Sequence, residues 1–114
     1  MVIIGFSTKT SWTIARLLCG HFKHCVIITK HAHTFVLHQF VKRCHVAHIA
    51  VSERSIAQLS NNGWVFIYLD LPVTALDEKQ ITCVNFVKHA IGLKKFWIQT
   101  PNALYKYLKK NLTV

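Results

Sequence analysis

A chain of 114 residues, 52% of them hydrophobic, has the length of one domain and enough apolar mass to close a core without metal or disulfide staples. Fourteen Lys and Arg against four acids give a formal charge of +10, a field that favours polyanions such as nucleic acid, anionic lipid or an acidic cell-wall polymer. No apolar run reaches the roughly 18 residues that span a bilayer, and no basic segment followed by a long apolar one opens the chain; neither a transmembrane helix nor a signal peptide is expected, which leaves the compartment open between cytoplasmic and virion-associated.

No linker, repeat or low-complexity tract divides the chain, so residues 1–114 are expected to form a single domain. Met1 to Phe6 is a short apolar run suited to a strand, and Ser11 can cap a helix carrying Trp12, Ile14, Ala15, Leu17 and Leu18 that ends near Gly20. From His24 the period becomes two: His24, Val26 and Ile28 share one face of a strand, and Cys25 and Ile27 the other. Thr34 to Phe40 reads as a second strand, joined to the first through Lys30, His31 and Ala32 as a hairpin without a turn glycine. Val46 to Val51 predicts a third strand. Ser52 caps a helix from Glu53 to about Ser60, which Asn61-Asn62-Gly63 ends. Trp64 to Leu69 is a strand by composition, residues 82–91 a helix stopped by Gly92, and Phe96 to Gln99 a last short strand. Thr100-Pro101 then starts a C-terminal helix carrying Leu104, Tyr105 and Leu108. The sum is an α+β domain with a small antiparallel sheet packed against helices.

The stretch ITCVNFVKHAIG puts Cys83 in the first turn of its helix, at the middle of an apolar arc with Val84, Phe86, Val87, Ala90 and Ile91. A thiol there faces the unsatisfied N–H groups and positive end of a helix, which favours the nucleophilic thiolate. The competing reading is a buried core cysteine. A base is needed for the first reading, and the chain offers eight histidines. Pairing the two strands around Lys30-His31-Ala32 sets His24 opposite His38 and Val26 opposite Val36, two imidazoles side by side on an apolar face. One ring can then fix the tautomer of the other, giving Cys83 as nucleophile, His24 as base and then acid, and His38 as orienter. Two histidines without chemistry remain the alternative.

The order of a His-led strand (HCVIIT), a second strand (TFVLHQF) and T-C-V-x-F-V on a helix resembles the permuted papain-like hydrolases, the circularly permuted relatives of NlpC-type cell-wall peptidases, a group that includes lecithin:retinol acyltransferase. The resemblance covers most of the chain. It is most specific from Thr82 through Gly92 to the T-P-x-x-L-Y segment at Thr100-Pro101 and Leu104-Tyr105. It implies a thiol peptidase, amidase or acyltransferase-like hydrolase from a bacterium or phage, without a cofactor, in which Cys83 attacks a cell-wall peptide amide or an acyl ester. His24 would be the base and His38 would stand at the third polar position, where many relatives have Glu. The backbone N–H of Cys83 would be the first oxyanion donor. The first strand of that family often carries Gly-Asp, whereas Ile4-Gly5-Phe6 has no acid here.

Two other constellations compete. Cys44, His45 and His48, with His31 and His33 upstream, have metal-binding residue types, but C-H-x-x-H matches no zinc framework and adjacent strand residues point to opposite faces; no metal is expected. The four cysteines show no C-x-x-C pair and are expected to be free thiols. Aromatics near cations, Phe22, Phe40, Trp64, Trp97, Tyr105 and Tyr107, suit a nucleic-acid stacking surface. The alternative function is therefore a non-catalytic basic module on the same fold, binding nucleic acid or serving as a part of a larger assembly such as a phage particle.

Overall fold

The computed structural model describes residues 1–8, 24–42, 45–73, 76–77, 79–80 and 82–111. The helix expected from Ser11 to Gly20, with Cys19, and also Phe22, Arg43 and Cys44 lie outside the described residues. Among the described residues are five strands, β1 (Val2–Ser7), β2 (His24–His31), β3 (Thr34–Lys42), β4 (His45–Val51) and β5 (Val65–Leu69), and three helices, α1 (Glu53–Asn61), α2 (Cys83–Ala90) and α3 (Pro101–Asn111). The fold is α+β. One antiparallel sheet runs in the order β4-β3-β2-β1-β5.

The unbroken apolar run of β1 follows from its place near the middle of a sheet covered on both faces: every one of its residues is buried. Period two sorts the rest. Ile4, Phe6, Cys25, Ile27, Phe40, Ile67 and Leu69 face α2 and α3, where they meet Phe86, Val87, Leu104 and Leu108. Ile3, Val26, Ile28, Phe35 and Leu37 face the other way, onto Ile56 of α1. Each such side chain fully removed from water contributes about 1.5–3 kcal/mol. Gly5 lies under Phe66, which crosses β1 so closely that a β-carbon at Gly5 would stand 2.7 Å from its ring.

The helices begin and end where local chemistry directs. Ser52 caps α1 by accepting the Ser55 N–H at 3.1 Å, and Gly63, at φ +97°, turns the chain out of it. Thr100 caps α3 through the Ala103 N–H at 3.1 Å, with Pro101 as first helical residue.

Two expectations are corrected. Phe96 to Gln99 is a turn between α2 and α3, not a strand. Its backbone is satisfied locally, the Ile98 N–H reaching the Lys95 carbonyl at 3.1 Å and the buried Lys88 ammonium the Ile98 carbonyl at 2.7 Å. The hairpin register is the second. The β2–β3 turn is the pair Ala32-His33, with Ala32 at φ +56°, so His31 faces Thr34 and His38 faces Ile27, three residues from the expected His24. An odd shift reverses faces, because side chains alternate along a strand. His38 consequently lies on the α2 side of the sheet, whereas the alternation of β2 directs His24 to the α1 side.

Candidate active site

Thr82 starts α2 with its side chain accepting the Asn85 N–H at 3.1 Å and its carbonyl accepting the Phe86 N–H at 3.0 Å. Cys83 is thereby the first residue of the helix, at the positive end of its dipole. Thr82→Ala is expected to cost about 1 kcal/mol of stability, the usual value of such a cap. Urea titration of the two proteins checks this.

Cys83 is half-buried, Cys25 is buried, and neither is in a disulfide. The Cys83 pKa is held well below the ordinary thiol range, first by the hydrogen bond from the Cys25 thiol, then by a hydrogen bond with the His24 ring and its charge, and by the Cys25 backbone N–H, with burial opposing. These partners locate the sulfur. The sulfur therefore lies beside the start of β2, near both side chains and the Cys25 N–H.

The sheet has an opening there. Pairing of β1 with β2 continues to Ser7↔His24, whereas β2–β3 pairing stops at Ile27↔His38. Further along β3 a register irregularity between Phe40 and Lys42 bends the strand against β4. The helix α2 packs across β2 and β3.

On its other side the His24 ring meets Trp64 edge to face, centroids 6.3 Å apart, and Trp64 stacks in turn on Phe66. This pair holds the imidazole from the α1 side. The His24 Nε2 is buried and has no hydrogen-bond partner among the described residues. Nδ1 is then the nitrogen left for the thiol. The Cys83 N–H points out of the first helical turn, where helices leave their donors uncommitted.

His38 does not join this group. Its Nε2 lies 2.8 Å from the Thr29 hydroxyl, which also lies 2.8 Å from the His31 Nε2, and its Nδ1 lies 2.7 Å from the Nδ1 of His48 across the β3–β4 ladder. Both ring nitrogens are occupied, and a neutral ring satisfies both by donating at one and accepting at the other. Burial, and then the charges of His48 and His31, lower its pKa to about 4. The expected orienter is instead the centre of a separate chain of imidazoles, because the register that would have brought it to His24 is not the one formed.

The structure thus brings together Cys83 and His24 and adds two residues that the sequence reading passed over, Cys25 and Trp64. The only signal for Cys25 was its position next to His24, which by alternation pointed away from it. Among the described residues no three His, Cys, Asp or Glu side chains gather as a metal site, and His45 and His48 fall on opposite faces of β4. The aromatics considered for stacking are dispersed: Phe40 is buried against Phe86, Tyr105 packs edge-on to Phe6 at 5.3 Å, and Trp97 is on the distant α2–α3 turn. No described helix is long and apolar enough to cross a membrane. No protein-family model matches the chain, and no curated protein or solved structure matches it.

Proposed function

We propose that this protein is a cysteine hydrolase of the permuted papain-like type, acting on an amide or ester carbonyl through an acyl-enzyme. The observation that carries this reading is the Cys83 sulfur at a helix N-terminus, met by the His24 ring and by two donors of Cys25. A structural thiol buried among apolar groups has its pKa raised; this one packs on the core as well, but the hydrogen bonds of Cys25 and His24 outweigh its burial and favour the anion.

In this mechanism the thiolate attacks the carbonyl carbon while His24 holds the thiol proton. The oxyanion of the tetrahedral intermediate is met by the Cys83 N–H. His24 gives the proton to the leaving amine or alkoxide, and the C–N or C–O bond breaks to leave a thioester. Water, losing a proton to His24, then attacks the thioester; the acid departs and the thiol is restored. Trp64 orients the ring in place of a third polar residue. A peptide or acyl substrate borne on an acidic cell-wall polymer suits the charge of +10.

The second reading, a binding module with a decayed site, is favoured by one observation: with His38 elsewhere, no described group stabilises the far nitrogen of His24. Labelling of the native protein with iodoacetamide near neutral pH, read residue by residue by mass spectrometry, separates the two. A hydrolase site predicts Cys83 modified at least roughly ten times faster than Cys25, and a rate that falls by a similar factor in His24→Ala. Similar rates at both thiols, unchanged by His24→Ala, would sink the catalytic reading.

A further inference from the structure

The turn that joins α2 to α3 carries the most exposed large apolar side chains described, Phe96 at 80% and Trp97 at 60% exposure. Their exposure is built in. Ile98, the next residue, is buried in the core and anchors the turn. The Lys88 ammonium, itself buried, binds the Ile98 carbonyl at 2.7 Å; the Leu93 N–H binds the Lys88 carbonyl at 2.9 Å; the Gln99 side chain donates to the Phe96 carbonyl. Gly92, at φ +73°, takes the chain off the helix into this turn. A cation withdrawn from water to fasten a loop is a substantial cost for a segment whose tip is mostly exposed.

The two rings meet edge to face, centroids 5.3 Å apart at 85°, and the Lys95 ammonium stands 5.3 Å from the Trp97 centroid. Lys94 is exposed beside them. The result is a wedge with aromatic surface at its tip and two cations at its base.

We infer that this wedge docks the protein on a bilayer bearing anionic phospholipid, with Phe96 and Trp97 in the interfacial layer and Lys94 and Lys95 at the headgroup phosphates. Aromatic rings partition to that layer, and lysines beside them gain from a negative surface, as does a chain with a formal charge of +10. Two rings and two lysines give reversible attachment. A single-stranded nucleic acid fits less well: Lys95 stands over one face of Trp97, and Phe96 meets its neighbour at a right angle, so no parallel ring faces are set out for successive bases. The wedge follows the last residue of α2 while Cys83 is the first, a separation of roughly 12 Å along the helix. No residue of the wedge belongs to the proposed site, and this inference does not depend on the proposed chemistry.

Co-sedimentation with phosphatidylcholine vesicles, with and without phosphatidylserine, tests it. The native protein is expected to sediment with the serine-lipid vesicles, less so at high salt, and Phe96→Ser/Trp97→Ser to weaken this by at least roughly tenfold. Trp97→Phe should retain binding but lose the vesicle-induced blue shift of the native fluorescence. The circular dichroism of the double variant should match that of the native protein, and so should its Cys83 labelling rate, so that failure here and failure of the hydrolase reading are distinct results. Undiminished vesicle binding by the double variant would overturn the inference. So would Trp97 quenching by a single-stranded oligonucleotide but not by vesicles, or a native dimer that becomes monomeric in the double variant without any vesicle binding.

Discussion

Replacing Cys25, which is buried, with alanine is expected to slow alkylation of Cys83 on the acid side of neutrality by roughly an order of magnitude. The Cys25 thiol is the strongest of the influences that hold the Cys83 pKa down, followed by the His24 ring. A lowered thiol pKa means that thiolate is already present at a pH where an ordinary cysteine is protonated. Removing a donor moves ionisation to higher pH, so the deficit of the variant is largest at low pH. It disappears once both proteins are fully ionised. Because the intrinsic nucleophilicity of a thiolate rises with its basicity, Cys25→Ala should equal or overtake the native protein at strongly alkaline pH. A rate-against-pH profile for the native protein, Cys25→Ala, His24→Ala and the double variant reads all of this. Both donors act on one sulfur, so the two single effects should not add. Parallel profiles, offset equally at every pH, would mean that Cys25 acts through packing alone.

Mild acid is expected to destabilise the fold through one residue on the other side of the site. His38 is 5% exposed and its pKa is lowered to about 4 in the folded protein, by burial first and then by the charges of His48 and His31. In the unfolded chain it titrates near 6.5. Above that value neither state binds the proton and stability is unaffected. As pH falls from 6.5 towards 4 the unfolded chain gains a proton that the folded one refuses, and stability is lost over that window. The loss is of order 2–3 kcal/mol, a large share of what a small domain possesses. The chain holds seven other histidines besides its four Asp and Glu, so a variant is needed to isolate the share of His38. Urea midpoints at both ends of the window, for the native protein and His38→Gln, check this. The glutamine variant keeps a polar group for Thr29 and does not titrate. An equal acid-induced loss in both proteins would show that the proton is taken up elsewhere.

The two features have different origins. Cys83 in a first helical turn was legible from the apolar arc, although a helix drawn over residues 82–91 takes in Thr82 and so passes over the cap it makes with the Asn85 N–H, a contact over three residues. Ser52 before α1 and Thr100-Pro101 before α3 were legible as caps of that span. The strands were legible from period two, and the buried run of β1 from its continuity. Long-range pairing is a different matter. A hairpin with Gly at the turn states its own register, whereas Ala32 adopts a positive φ without advertising it, so the β2–β3 alignment was open to an odd shift. That shift took His38 from His24 to His48.

What the sequence by itself determined is the α+β class, the five described strands and three described helices in their order, the position of Cys83 and the excess of positive charge; each is either a count or a local preference summed over a few neighbours. What only the tertiary structure decided is company. The packing of α2 against β2 brings both His24 and Cys25 to one sulfur, so that Cys25, which alternation sends away from His24, becomes its co-partner. The anchoring of Ile98 by Lys88 turns an expected strand into a displayed aromatic wedge. Both depend on how far apart in space two distant segments come to rest, and no period or cap encodes that distance.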